Sequence, residues 1–130
     1  MNYLLDTCAL LHLVNDSPLL PVAARHAIGD ATATIYVSVL SAAELSIKTG
    51  KGKLSLPLPV TEWMQKAVEL HHLTLLPLDL IPSATAGQLP WIHADPFDRL
   101  LIATALQQKL PIITSDKTIP DYPGVRVIWK

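Results

Sequence analysis

The apolar positions along this chain fall into two kinds of run. Short continuous stretches with strong β-branched or aliphatic character, NYLL at 2–5, TATIYVSV at 32–39, TLLPL at 74–78, PIITSD at 111–116 and VRVIW at 125–129, read as strands. Between them, apolar residues recur three and four positions apart, which predicts helices over TCALLHLV after residue 6, over 18–29, 40–49, 60–72 and 80–88, and from residue 96 through PFDRLLIATALQQK. The second of these opens at Ser17-Pro18 and closes near Gly29. The sharpest boundary is Asp95-Pro96, with an Asp suited to cap a helix and a proline suited to its first position. Strands alternating with helices imply an α/β fold, a three-layer α/β/α sandwich around a mainly parallel sheet of four or five strands. VRVIW would be its edge.

Length and composition narrow the class. The 130 residues suit one domain spanning 1–130, half of them are hydrophobic and only 16% are charged, so the chain can bury a core and is not disordered. Ten Lys and Arg against eleven Asp and Glu give a formal charge of −1, which excludes a binder that holds polyanions by bulk charge. The single cysteine, Cys8, allows no intrachain disulfide and has no set of partners for zinc, so a reduced, cytoplasmic setting is expected. At an apolar helix start it reads as a small hydrophobe. The N-terminal stretch lacks a basic start and is interrupted by Asp6, and no apolar run reaches the ~20 residues of a membrane helix. A soluble protein without a membrane partner is expected.

Candidate chemistry lies in carboxylates placed where burial would be costly. Asp16, Asp30 and Asp121 sit in turns, and Glu62 and Glu69 lie on the polar face of their helix. Glu44 instead shares the apolar stripe of Leu40 and Ile47, although an i,i+4 pair with Lys48 would also account for it. Asp98 leads the stripe of Ile102 and Ala105, although an acid in a first turn also complements the helix dipole. Asp6 and Asp116 follow strands, where an Asp commonly caps or turns, but where parallel sheets also open into a ligand crevice. In a parallel fold these four acids could meet. Such a group cannot stay ionised without a cation, and oxygen ligands without Cys or paired His favour Mg²⁺ or Mn²⁺. Metal-assisted phosphodiester hydrolysis is the natural reaction.

The segments LLDTCALL, SAAELSIK, HADPFDRLLIATA and ITSD, in this order and spacing, resemble the PIN-domain ribonucleases, and more closely the VapC-type toxins of bacterial toxin–antitoxin pairs. The resemblance covers essentially the whole chain. It implies a Mg²⁺- or Mn²⁺-dependent endoribonuclease, usually dimeric and silenced by a cognate antitoxin, that leaves a 5′-phosphate and a 3′-hydroxyl. Its catalytic acids would be Asp6, Glu44, Asp98 and Asp116, with Asp6 and Asp98 as direct metal ligands and Glu44 and Asp116 binding directly or through water. Thr7 and Thr114 look like the hydroxyls that orient those ligands. Asp95 reads as a helix cap that could also take part in metal binding.

His12, His26, His71 and His72 have no acid or Cys at ligand spacing, and His93 reads as a structural brace for the loop before DPFD. Lys48, Lys51 and Lys53 form the one local basic cluster and, with Arg99, are candidate RNA contacts. The presence of all four acids argues against a fold-retaining, inactive binding module, and two other functions stay open. One is a housekeeping PIN nuclease of RNA processing. The other is a receiver-like module that takes phosphate on an Asp, although TATIYVSV ends without the acceptor Asp such a module needs. Removing the four site acids from the eleven leaves seven against ten basic residues, so the near-neutral total reads as a mildly basic shell around an acidic hole.

Overall fold

The computed structural model describes residues 1–130 and contains one five-stranded sheet in which every pairing is parallel. Its strands are β1 (Tyr3–Leu5), β2 (Ile35–Ser38), β3 (Thr74–Leu76), β4 (Ile112–Ile113) and β5 (Val127–Ile128), in the order β3-β2-β1-β4-β5. The chain therefore builds from β1 outward to β3, then returns to the other side of β1 for β4 and β5. That reversal makes the β1/β4 boundary a topological switch point, and the crevice beyond the strand C-termini opens there.

Side chains of neighbouring strand residues point to opposite faces, and the core divides accordingly. Leu5, Ile35, Val37 and Ile113 pack with helices α1 (Thr7–Val14), α2 (Val22–Gly29), α3 (Val39–Gly50) and α4 (Val60–Leu70). Leu4 and Ile112 face the other way, against Leu101, Ile102 and Ala105 of α6 (Pro96–Gln108) and against Ile119 and Tyr122. The short α5 (Leu80–Thr85) and a single 3-10 turn at Ala86–Gln88 lie beside α6. This is the expected α/β/α layering, with β5 at an edge. None of the helices is long and apolar enough to cross a membrane.

Most boundaries differ from expectation by a few residues, for local reasons. The second helix starts at Val22 rather than near Pro18, because Pro21 disfavours helical backbone at Leu20 and itself takes the N-cap position. The run TATIYVSV ends as a strand at Ser38, whose hydroxyl accepts the Leu40 N–H and starts α3 directly. Asp95 caps α6 as predicted, accepting from the N–H groups of Phe97 and Asp98 at 2.8 and 3.5 Å.

Arg99 corrects the sequence reading. It was a candidate RNA contact, but its side chain is withdrawn into the protein and the residue is only 3% exposed. Its guanidinium donates to the carbonyls of Ala86, Leu89, Pro90 and His93 at 2.7–3.0 Å and to the Tyr122 hydroxyl at 3.4 Å. Trp91 closes over it, with the guanidinium carbon 3.5 Å from the ring centroid. The irregular segment before α6 forms no ladder of its own, so its carbonyls depend on this one fork of donors. Arg99→Leu should cost on the order of 3 kcal/mol in urea unfolding, because it strands several buried acceptors at once. A loss below about 1 kcal/mol would contradict this role.

Candidate functional site

At the C-terminal edge of β1, Asp6 has extended backbone and caps α1, its Oδ1 accepting the Ala9 N–H at 2.7 Å. Its Oδ2 accepts from the Thr114 hydroxyl, at the end of the neighbouring β4. The same Thr114 oxygen accepts the N–H of Asp116 at 3.0 Å, so one buried hydroxyl links two of the predicted acids. Asp116 then closes a tight turn in which its Oδ1 accepts the N–H and hydroxyl of Thr118 at 2.8 and 2.7 Å.

Glu44 reaches the same place from α3. Its Oε1 accepts from Thr7 at 2.7 Å and its Oε2 pairs with Lys48 at 2.7 Å, so the i,i+4 pair is present and the carboxylate also turns inward, although Ile47 of the expected stripe is exposed. Thr7 in turn lies 3.0 Å from the buried Ser41 hydroxyl. Asp98 projects from the first turn of α6. The structure thus brings Asp6, Glu44, Asp98 and Asp116 to the lining of one cavity of about 250 Å³, together with Asp95 and Lys48.

Two residues sit differently from expectation. Cys8 is exposed at the rim of this cavity rather than packed as a small hydrophobe, because the apolar face of α1 passes through Ala9 and Leu10 instead. Desolvation against the cavity wall, then the charge of Asp6, push its thiol pKa up, so it stays neutral. His93 reaches further than a loop brace: its Nε2 lies 2.9 Å from Asp116 Oδ2 and 3.1 Å from Asp98 Oδ2. A lone histidine ahead of a helix start has no periodic signal that marks it. Its proximity to DPFD was the one available clue.

Residues 3–125 match the family model of the PIN domain, and the four acids stand on the segments that carry the resemblance. This chain belongs to the PIN domain family. Ribonuclease VapC22 of Mycobacterium tuberculosis is 30% identical over 113 residues, which cover 85% of each chain. Among solved structures, a chain of the DNA-bound VapBC2 complex from Rickettsia felis superposes with a TM-score of 0.73 at 18% identity, over the full length of both chains. The DNA-bound VapBC of Salmonella typhimurium gives 0.69 at 20% identity, over 98% of this chain and 96% of that one. The parallel five-stranded sheet is the PIN fold, of the VapC type.

Within this PIN domain the acids crowd one another. Burial pushes the Asp6 carboxyl above its ordinary range despite its two donors. Burial, and then the charge of Asp95, push Asp98 up to about 6. Asp116 is held lower than usual: burial opposes ionisation, but donation from His93 and Thr118 outweighs it. Burial likewise opposes a charge on His93, yet its hydrogen bond to Asp116 and the Asp98 carboxylate raise its pKa. Both oxygens of Asp6, Glu44 and Asp116 already meet protein donors, whereas Asp98 Oδ1 meets none. An oxygen-rich, negatively charged cavity with two unclaimed carboxylate oxygens, Asp98 Oδ1 and Asp95 Oδ2, fits a hard divalent cation.

The raised Asp98 pKa makes a stability prediction for metal-free protein. Between the unfolded value near 3.9 and the folded value of about 6, the native state binds the extra proton, so stability falls as pH rises through this window. Asp98→Asn should therefore stabilise the metal-free protein at pH 7.5 by on the order of 1–3 kcal/mol, with the gain shrinking toward pH 4.5. Thermal melts in chelator at the two pH values check this. A variant less stable than wild type at pH 7.5 would show that Asp98 is a structural residue.

Proposed function

We propose that residues 1–130 form a single PIN domain that acts as a Mg²⁺- or Mn²⁺-dependent endoribonuclease, the toxin of a type II toxin–antitoxin pair. One observation carries this reading: four acids from four separate segments converge in one cavity at the switch point of a parallel sheet. The ribonuclease relative and the VapBC complexes among the fold neighbours support it. They also favour a cognate antitoxin protein as partner. The active form would be a homodimer.

Asp6 and Asp98 would hold the cation directly, with Glu44 and Asp116 binding it directly or through water. When bound, the cation neutralises charge on the scissile phosphate and acidifies a bound water. Thr114 and Thr7 hold the Asp6 and Glu44 carboxylates correctly turned by donating to them. Lys48, paired with Glu44, lines both the acidic cavity and an adjoining groove of about 410 Å³ that also holds Lys51, Lys53 and Phe97. That groove offers the RNA backbone a cationic path into the acids.

Purified protein should cut single-stranded RNA only with Mn²⁺ or Mg²⁺, and Asp98→Asn should lower the rate by at least about a hundredfold while remaining folded. Expression without an antitoxin should arrest growth, and expression of the Asp98→Asn form should not. Equal cleavage by mutant and wild type would refute the metal-site reading.

The double variant Lys51→Ala, Lys53→Ala should raise KM severalfold with little change in kcat. It should also flatten the salt dependence of binding by a log–log slope of about 0.7 per lost phosphate contact. An unchanged slope would remove these lysines from the substrate path.

A further inference from the structure

We propose that His93 is the positioning residue of the acidic cavity, its Nε2–H donating to Asp116 Oδ2 while the same ring edge packs against Asp98 Oδ2, so that Asp98 Oδ1 is presented for the cation. The inference rests on the metal-dependent reading above and concerns a residue outside the four acids.

Three of the acids are fixed without His93. Asp6 is held by the Ala9 N–H and the Thr114 hydroxyl, Glu44 by Thr7 and Lys48, and Asp116 by Thr118 on the oxygen that does not face the imidazole. Asp98 is not. Its Oδ2 lies 3.1 Å from His93 Nε2, the one polar side-chain neighbour of its carboxylate, beside the hydrogen bond that this nitrogen makes to Asp116. The same Nε2 lies 2.9 Å from Asp116 Oδ2, so the imidazole ties an acid on α6 to one in the loop after β4. Like charges would otherwise drive these two carboxylates apart.

The ring is held where it can do this. The His93 N–H donates to the Tyr122 hydroxyl at 2.7 Å, and the His93 carbonyl accepts from buried Arg99 at 3.0 Å. Tyr122 is itself nearly inaccessible. The Asp95 N–H points at Nδ1 from 3.4 Å, which leaves the proton on Nε2. A protonated Nε2 has no lone pair for a metal. In this tautomer His93 donates to Asp116 and braces Asp98 from its ring edge, although its Nε2 stands close enough to both acids to have joined them around an ion.

The test uses the full chain and Mn²⁺ itself, with affinity read by electron paramagnetic resonance of free Mn²⁺ and folding read by thermal melts. His93→Ala should weaken Mn²⁺ binding by about tenfold or more, as loss of a ligand-orienting partner does. At saturating Mn²⁺ its KM for RNA should match wild type. His93→Gln, whose amide N–H falls near the Nε2 position, should recover most of the affinity, and His93→Asn, whose shorter amide falls near Nδ1, should not. Both amides keep side-chain bulk, so the comparison between them stands even if the alanine variant folds poorly. Wild-type affinity in His93→Ala, or equal affinity of the Gln and Asn variants, would overturn the assignment and leave the metal site standing. Failure of the wild type to bind Mn²⁺ would overturn both.

Discussion

The parallel pairing of β1 with β4 is the constraint on which the other features rest. Leu4 and Leu5 lie in register with Ile112 and Ile113, and this joins the two ends of the chain at the centre of the sheet. Once that pairing forms, the residues that follow each strand must leave it side by side. Asp6 then meets Thr114, 108 positions away in sequence, and the first turn of α1 and the loop after β4 share one hydroxyl. Because β2 occupies the other side of β1, the helix that follows β2 must start beside α1, which is how Glu44 reaches Thr7. Hydrophobic register thus does the placing, and the polar groups inherit their positions from it.

The cavity works against the fold that builds it. Burial raises the pKa of Asp6 and Asp98, and the charge of Asp95 adds to the second. The protein offsets this with donors: the Ala9 N–H, Thr114, Thr7, Lys48, Thr118 and His93 each face a carboxylate oxygen. Unequal satisfaction is the informative part. An acid with two donors is fixed and partly neutralised, while one with a free oxygen keeps unspent capacity for a cation.

Much of this was legible in the sequence because it depends on periodicity and strand ends. Glu44 and Asp98 stood out by sharing a stripe with Leu40 and Ile102, and Asp6 and Asp116 by closing apolar runs. Arg99 was misread because a charged side chain next to an acid ordinarily faces solvent, and nothing in the linear pattern reveals carbonyls gathered from 86, 89, 90 and 93. Those carbonyls belong to an irregular segment, which has no period to read. Cys8 was misplaced by one position around a helix whose buried face proved narrower than its composition suggested. His93 acts through contacts set by Tyr122 and Asp116, both distant in sequence, so only the folded chain exposes its reach.

Asp6 serves two masters, since the carboxylate that lines the cavity also caps α1. A lineage that abandoned chemistry would still keep an acid there to start the helix, so persistence of Asp6 alone says little about activity. Asp98 caps nothing and satisfies no backbone group, and burial pushes its carboxyl up to about 6. Drift would discard it first. In this chain the first turn of α6, rather than the acid after β1, is therefore where chemistry separates from folding.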